Sequence, residues 1–333
     1  MQLESDQSVF KLYGSEKKIY LAIHVDDGLL ICDDAKEMNK LLNNLKEDFE
    51  ITVTANPKTY LGLKLERNNE GIHVSQPSNA EKVVKKFINE NCKSQATPMV
   101  KVMTNQDIKT EEYPYRETVG SLLYLSTKTT IDITYAVNHA SRSLIHPSDQ
   151  DVINVKRTLR YLKGTLDKGI SYSAKKEKDG IHLEEYCDAD FAGDEENRKS
   201  TSGFIILLGG GPVSWSSKKQ TVVAQSTTEA EYVSAAHCCQ EMKYIKNLIE
   251  EMMDEEVKMT LYINNQSTVK MIKPGQTTRK SKYIDVKYHF IVDELRKNWF
   301  NLKWCETKQH LADILTKPLN NPVFSTLRDK LMV

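Results

Sequence analysis

The sequence predicts an α/β protein: an α+β N-terminal half, then a C-terminal mixed sheet flanked by helices. Three observations predict it. Lys18–Val25 alternates, Leu29–Cys32 is apolar, and Asp26-Asp27-Gly28 lies between them, so the chain opens with a β-hairpin. Residues 115–163 then read as helices alone. From about residue 181, short β-rich runs are interleaved with helical patterns, an order that builds a sheet with helices on both faces.

The elements follow in order. Asp34, with Glu37 three residues on, caps a helix over about 35–49. Residues 60–67 and 71–75 suggest a second hairpin, and a helix follows over about 79–90. Residues 92–112 lack periodicity and read as a linker. Helices are expected over about 115–127, 133–144 and 149–163, with Gly164 as the stop of the third. In the last third, strands are expected near 181–187, 203–208, 212–217, 259–263 and 300–305. A long helix is expected from Thr228 to Met252, its inner stripe marked by Ala230, Val233, His237, Tyr244, Leu248 and Met252.

A chain of 333 residues suggests two domains at roughly 150 residues each. Lys+Arg and Asp+Glu balance at 46 each, so overall charge points to no partner. The distribution is uneven. Residues 184–196 are dense in acid, whereas residues 266–310 are rich in Lys and Arg. An acidic centre beside a basic flank suits a metal-dependent enzyme acting on a phosphate backbone. The six cysteines form no CxxC pair or zinc-type ladder, so reduced thiols in an intracellular compartment, cytoplasmic or nuclear, are expected. No apolar run is long enough for a membrane span, and no membrane partner is expected.

Three acids stand at element ends. Asp188 closes a strand, with Asp190 on the same face if the strand continues. Glu229 and Glu231 are expected in the first turn of the long helix, and Asp313 in the last helix. Acids from three separate elements stay ionised together only if a cation such as Mg²⁺ lies among them. Otherwise repulsion raises their pKa values and one or more takes a proton.

The stretch Tyr186-Cys187-Asp188-Ala189-Asp190-Phe191-Ala192-Gly193, then Thr228-Glu229-Ala230-Glu231-Tyr232 and Leu311-Ala312-Asp313-Ile314-Leu315-Thr316-Lys317-Pro318-Leu319, resemble the ribonuclease H domain that ends a copia-type LTR retrotransposon polyprotein. Arg198–Gly203 and Ser214–Gln220 fall between them as in that family. The resemblance implies an RNase H-like domain over 169–333, in which Asp188, Glu231 and Asp313 hold two Mg²⁺ (or Mn²⁺) ions and hydrolyse the RNA of an RNA–DNA hybrid. Where the family carries Asp before Asn, this chain has Asn264, and where it carries His after Lys282, this chain has Tyr283. An amide keeps the shape of a carboxylate but loses its charge and offers one oxygen, and hard Mg²⁺ prefers carboxylate. Impaired cleavage is therefore expected. Lys270, Lys273, Arg279, Lys280 and Lys282 are the expected grip on hybrid or double-stranded nucleic acid.

His24-Val25-Asp26-Asp27 resembles the reverse transcriptase palm signature, with His24 where Tyr is usual. Tyr60–Leu63, Cys92–Met99, Val119–Leu125 and Arg160–Thr165 resemble the palm, thumb and connection segments that follow. The layout this implies is a partial palm and thumb-like region over 1–91, a linker and helical connection over 92–168, and the RNase H-like domain. Asp26 and Asp27 would be a polymerase remnant: about twenty residues precede the hairpin, the upstream metal-binding Asp strand is not among them, and no synthesis is expected without that missing N-terminal portion. The alternatives are a non-catalytic nucleic-acid-binding derivative and a functionless relic.

Overall fold

A computed structural model describes residues 1–12, 18–89, 91–100, 113–175, 180–273 and 290–333. The first sheet is antiparallel, in the order β1 (Val9–Leu12), β2 (Ile19–His24), β3 (Asp27–Cys32). Its hairpin turn is Val25-Asp26 rather than Asp-Asp-Gly, because Asp27 already pairs with His24 and Gly28 with Ile23. Val25 takes a φ of +55° there. That left-handed conformation disfavours a β-branched side chain. Asp34 accepts from the backbone N–H groups of Lys36 and Glu37 and starts α1 (Ala35–Asp48).

The N-terminal sheet docks on the far end of the long helix, a contact no local pattern announces. Lys11 reaches Asp254 and the Glu251 carbonyl, Lys18 donates to the Met253 carbonyl, and Tyr20 donates to the Met252 carbonyl. The backbone N–H groups of Glu4 and Ser5 donate to the Glu251 carboxylate, at 2.6 and 3.0 Å. Carbonyls at a helix C-terminus have no partner within the helix, so donors from another element satisfy them.

The second sheet runs β4 (Thr59–Tyr60), β5 (Leu63–Asn68), β6 (Gly71–Ser75), β7 (Gly169–Ser173). Its last strand comes from nearly a hundred residues downstream: Gly71↔Ser173 through Ser75↔Gly169. A Cβ on Gly169 would sit 2.4 Å from the Val74 carbonyl oxygen, so only glycine permits that approach. The boundary expected at 168/169 thus cuts this sheet.

Between these strands lie α2 (Pro77–Phe87), α3 (Tyr115–Ser126), α4 (Thr134–Ala140) and α5 (Asp149–Lys163). Pro77 at the first turn of α2 moves its start two residues ahead of the expected one. Ser148 and Asp151 form a capping box on α5, and Gly164 ends it as expected. Val119, Leu122, Leu125, Val155, Leu159 and Leu162 form one core.

The third sheet has the order β10-β9-β8-β11-β12: β8 (Ile181–Ala189), β9 (Thr201–Leu208), β10 (Gly211–Lys219), β11 (Val257–Ile263), β12 (Asn301–Trp304). The meander β8-β9-β10 is antiparallel, whereas β11 lies parallel to β8 and β12. Both faces are covered. Leu183, Cys187 and Ile206 pack on α6 (Thr227–Met253), and Ile205, Leu207, Tyr186 and Trp215 pack on the helical core. The buried stripe of α6 is wider than expected, running through Ala235, Cys238, Cys239 and Met242, while Tyr244 is exposed. Small side chains let α6 lie close on the sheet, and this buries most of its first half. Two short helices, α7 (Gln266–Ile272) and α8 (Phe290–Arg296), and a final α9 (Asn321–Leu331) complete the chain. No described helix is long and apolar enough to cross a membrane.

Candidate metal and active site at the strand ends

Register builds the site. Tyr186 of β8 is opposite Tyr262 of β11, and their rings stack at 4.8 Å. Two residues further along each parallel strand come Asp188 and Asn264, so they meet. The Asn264 amide donates to Asp188 Oδ1 at 3.3 Å. On the other side Asp188 is opposite Gly203 of β9. A Cβ on Gly203 would sit 2.7 Å from Thr316 and 2.8 Å from Leu315. That glycine lets the 3-10 turn Leu311–Leu315 lie against the sheet and bring Asp313 and Thr316 to Asp188. Asp313 is therefore on a 3-10 turn, not on the last helix, because α9 starts only at Asn321.

Glu231 enters from α6. Ser226 caps this helix by accepting from the Glu229 backbone, and the Glu229 carboxylate accepts from the Gln225 backbone at 2.8 Å. Glu229 is thus spent on the cap. Glu231 lies in the second turn rather than the first, 6% exposed, and hydrogen-bonds Asp188. Asp190 does not join them. The strand ends at Ala189, and the Asp190 carboxylate turns back to accept from the Thr201 backbone. Burial pushes its pKa up to about 6, against the Thr201 bond that lowers it.

The electrostatics follow the expectation for acids crowded from separate elements. Asp188 is 1% exposed, and burial alone would raise its pKa. Lys317, His310 and the Thr316 hydroxyl together hold it below the usual carboxylate range. Glu231 is pushed well up, first by burial and then by the Asp188 charge, so of the two it takes a proton the more readily. Lys317 supplies the positive charge: its Nζ lies 3.3 Å from Asp188 Oδ2 and 3.0 Å from Asp313 Oδ2. The sequence reading passed over Thr316, Lys317 and His310, although all three border or lie within the stretch that located Asp313.

Three buried polar atoms at this site lack a hydrogen-bond partner: Glu231 Oε2, Asp313 Oδ1 and His310 Nδ1. One donor atom each from Asp188, His310 and Asp313 falls within 4.8 Å of the others. Carboxylate oxygens with unspent lone pairs, gathered at a strand end, fit a divalent cation.

The remaining expected residues lie elsewhere. Lys270 and Lys273 are exposed on and just after α7, which Asn265 caps next to Asn264. Arg279, Lys280, Lys282 and Tyr283 lie outside the described residues. Asp26 and Asp27 are exposed at the N-terminal hairpin.

Known proteins bear on this arrangement. The profile of the reverse transcriptase (RNA-dependent DNA polymerase) family matches residues 2–101. The retrovirus-related Pol polyprotein from transposon RE1 of Arabidopsis thaliana is 34% identical across 99% of the chain, and that from transposon TNT 1-94 of Nicotiana tabacum is 32% identical across 96%. This chain belongs to the copia-type Pol polyprotein family. It spans 22% and 25% of the length of these two relatives. Among solved structures, RNase H1 from Halobacterium salinarum and the N-terminal RNase H domain of a Mycobacterium tuberculosis protein each match at a TM-score of 0.30, with 14% and 10% identity. They cover 40% and 45% of this Pol-family chain and 94% and 98% of their own.

Proposed function

We propose that the C-terminal sheet carries a ribonuclease H-type hydrolase site for the RNA strand of RNA–DNA hybrids, and that Asn264 holds its rate far below that of a full carboxylate set. The observation that supports this is the convergence of Asp188, Glu231 and Asp313 from three elements, with Asn264 against Asp188. These residues would hold Mg²⁺ or Mn²⁺. When bound, the metal supplies an activated water and neutralises charge at the scissile phosphodiester. The chain's own part is to fix the carboxylates: Thr316 and Asn264 orient Asp188, and Lys317 balances its charge until a cation does. Glu231 must give up its proton on cation binding, so cation affinity rises with pH. Lys270 and Lys273, with Arg279, Lys280 and Lys282, are the proposed contacts to the nucleic-acid backbone.

The test is cleavage of an end-labelled RNA–DNA hybrid in Mg²⁺ or Mn²⁺ by the native chain and by Asn264→Asp. Cutting by Asn264→Asp alone is the expected result. Native cutting at an undiminished rate refutes the role given to Asn264. If neither folded protein cuts but both bind hybrid in a salt-dependent way, the site is a binding module.

A further inference from the structure

We propose that His310 is a nitrogen ligand of this site and turns its cation preference from Mg²⁺ toward Mn²⁺. The inference rests on the metal-site reading above and adds to it a residue and a selectivity. His310 is fully buried. Its ring stands edge-on to Tyr186, with centroids 5.9 Å apart. Its Nε2 lies 3.3 Å from the carbonyl oxygen of Tyr262. A carbonyl only accepts, so Nε2 carries a proton. In the neutral ring the lone pair is then on Nδ1, and a bound cation replaces the positive charge that a second ring proton would put beside Asp188. A ring N–H donated to a backbone carbonyl is the support that metal-binding histidines need to hold their orientation.

Nδ1 then faces Asp313 Oδ1 at 3.4 Å, and neither atom has a hydrogen-bond partner. Two buried lone pairs facing each other cost free energy unless a proton or a cation lies between them. Asp188 contributes a third donor within the same 4.8 Å. Donor atoms that close can share one cation at ligand distances of about 2.0–2.4 Å. Lys317 faces the same carboxylates, but its side chain is 37% exposed and can swing outward.

The donor set decides the ion. Asn264 removes a negative oxygen donor and His310 adds a neutral nitrogen. Mg²⁺ binds oxygen almost alone and sheds water reluctantly, whereas imidazole suits first-row transition ions, and Mn²⁺ also accepts carboxylate. Mn²⁺ is preferred to Zn²⁺ as the probe because the half-exposed thiols Cys32, Cys92 and Cys305 would compete for zinc.

The experiment titrates Mn²⁺ and Mg²⁺ separately into the full chain by calorimetry, native beside His310→Gln. The native chain is expected to bind Mn²⁺ about tenfold or more tighter than Mg²⁺. His310→Gln is expected to weaken Mn²⁺ about 10–100-fold and Mg²⁺ less. Pulsed EPR of the native chain with Mn²⁺ bound reads a coordinated nitrogen directly and needs no variant to fold. An imidazole nitrogen coupling supports the proposal. Its absence with Mn²⁺ bound, or no Mn²⁺ binding, overturns it. Hybrid cutting by Asn264→Asp is scored separately. Cutting without nitrogen coupling removes His310 and keeps the hydrolase reading, and coupling without cutting does the reverse.

Discussion

Two aspartate pairs stand at strand ends in this chain, Asp26-Asp27 in the N-terminal hairpin and Asp188 with Asp190 on β8, and their surroundings are opposite. In the first pair Asp26 lies in a two-residue turn and Asp27 opens β3, both exposed. In the second, Asp188 is 1% exposed and meets Asn264 through strand register, Thr316 and Lys317 after one 3-10 turn, and Glu231 from α6. Both pairs are conspicuous as motifs. Only the second has neighbours that fix its charge and direction, and chemistry depends on those neighbours rather than on the dipeptide.

The sharpest way to break this contrast is at Asn264. Asn264→Asp is expected to raise hybrid cleavage by about 100-fold or more, since the loss of a metal contact beyond the direct ligands already costs about 10–100-fold. Next is Lys317. Lys317→Met leaves Asp188 and Asp313 without their counter-charge, and the metal-free chain should lose about 1–2 kcal/mol, a buried-pair cost discounted for the exposure of Lys317. Divalent cation should recover that loss, read as a thermal shift with and without Mn²⁺. A third probe contrasts an acid that serves the site with one that does not. Glu185 is fully buried on the α6 face of β8, both its oxygens lack partners, and burial pushes its pKa up to about 9. Its folded pKa exceeds the unfolded value, so the folded state holds the proton more tightly. Its contribution to stability is then greatest below about pH 4 and is lost as pH rises toward about 9. Glu185→Met should stabilise the chain by about 1–3 kcal/mol near neutrality, and by more as pH rises, in denaturant unfolding at several pH values. The smallest effect belongs to the exposed pair: Asp26→Asn and Asp27→Asn should change stability by no more than about 0.5 kcal/mol and leave hybrid cleavage by Asn264→Asp unaltered.

What was legible in the sequence was local or carried by a motif. Strand alternation placed β8 to β12, Asp34 and Gly164 marked helix ends, and the three acids stood out by position. What was not legible depends on partners distant in the chain. Asp190 seemed a companion of Asp188 because alternation puts residues two apart on one face. Alternation stops where the strand does, and Thr201 captures the carboxylate. Lys317 and His310 carry no motif of their own, and their roles appear only once Gly203 admits the turn that brings them to β8. The pairing of β6 with β7 and the docking of Lys11, Lys18 and Tyr20 on α6 span most of the chain and leave no periodic trace.

That last contact has a consequence for how the chain opens. The helix that presents Glu231 near its start is gripped at its finish by the first two strands. The grip is on carbonyls, while the amides there donate within the helix. It acts by tying the last turns of α6 to β1 and β2, so in hydrogen–deuterium exchange these segments are expected to exchange in step, as one cooperative unit.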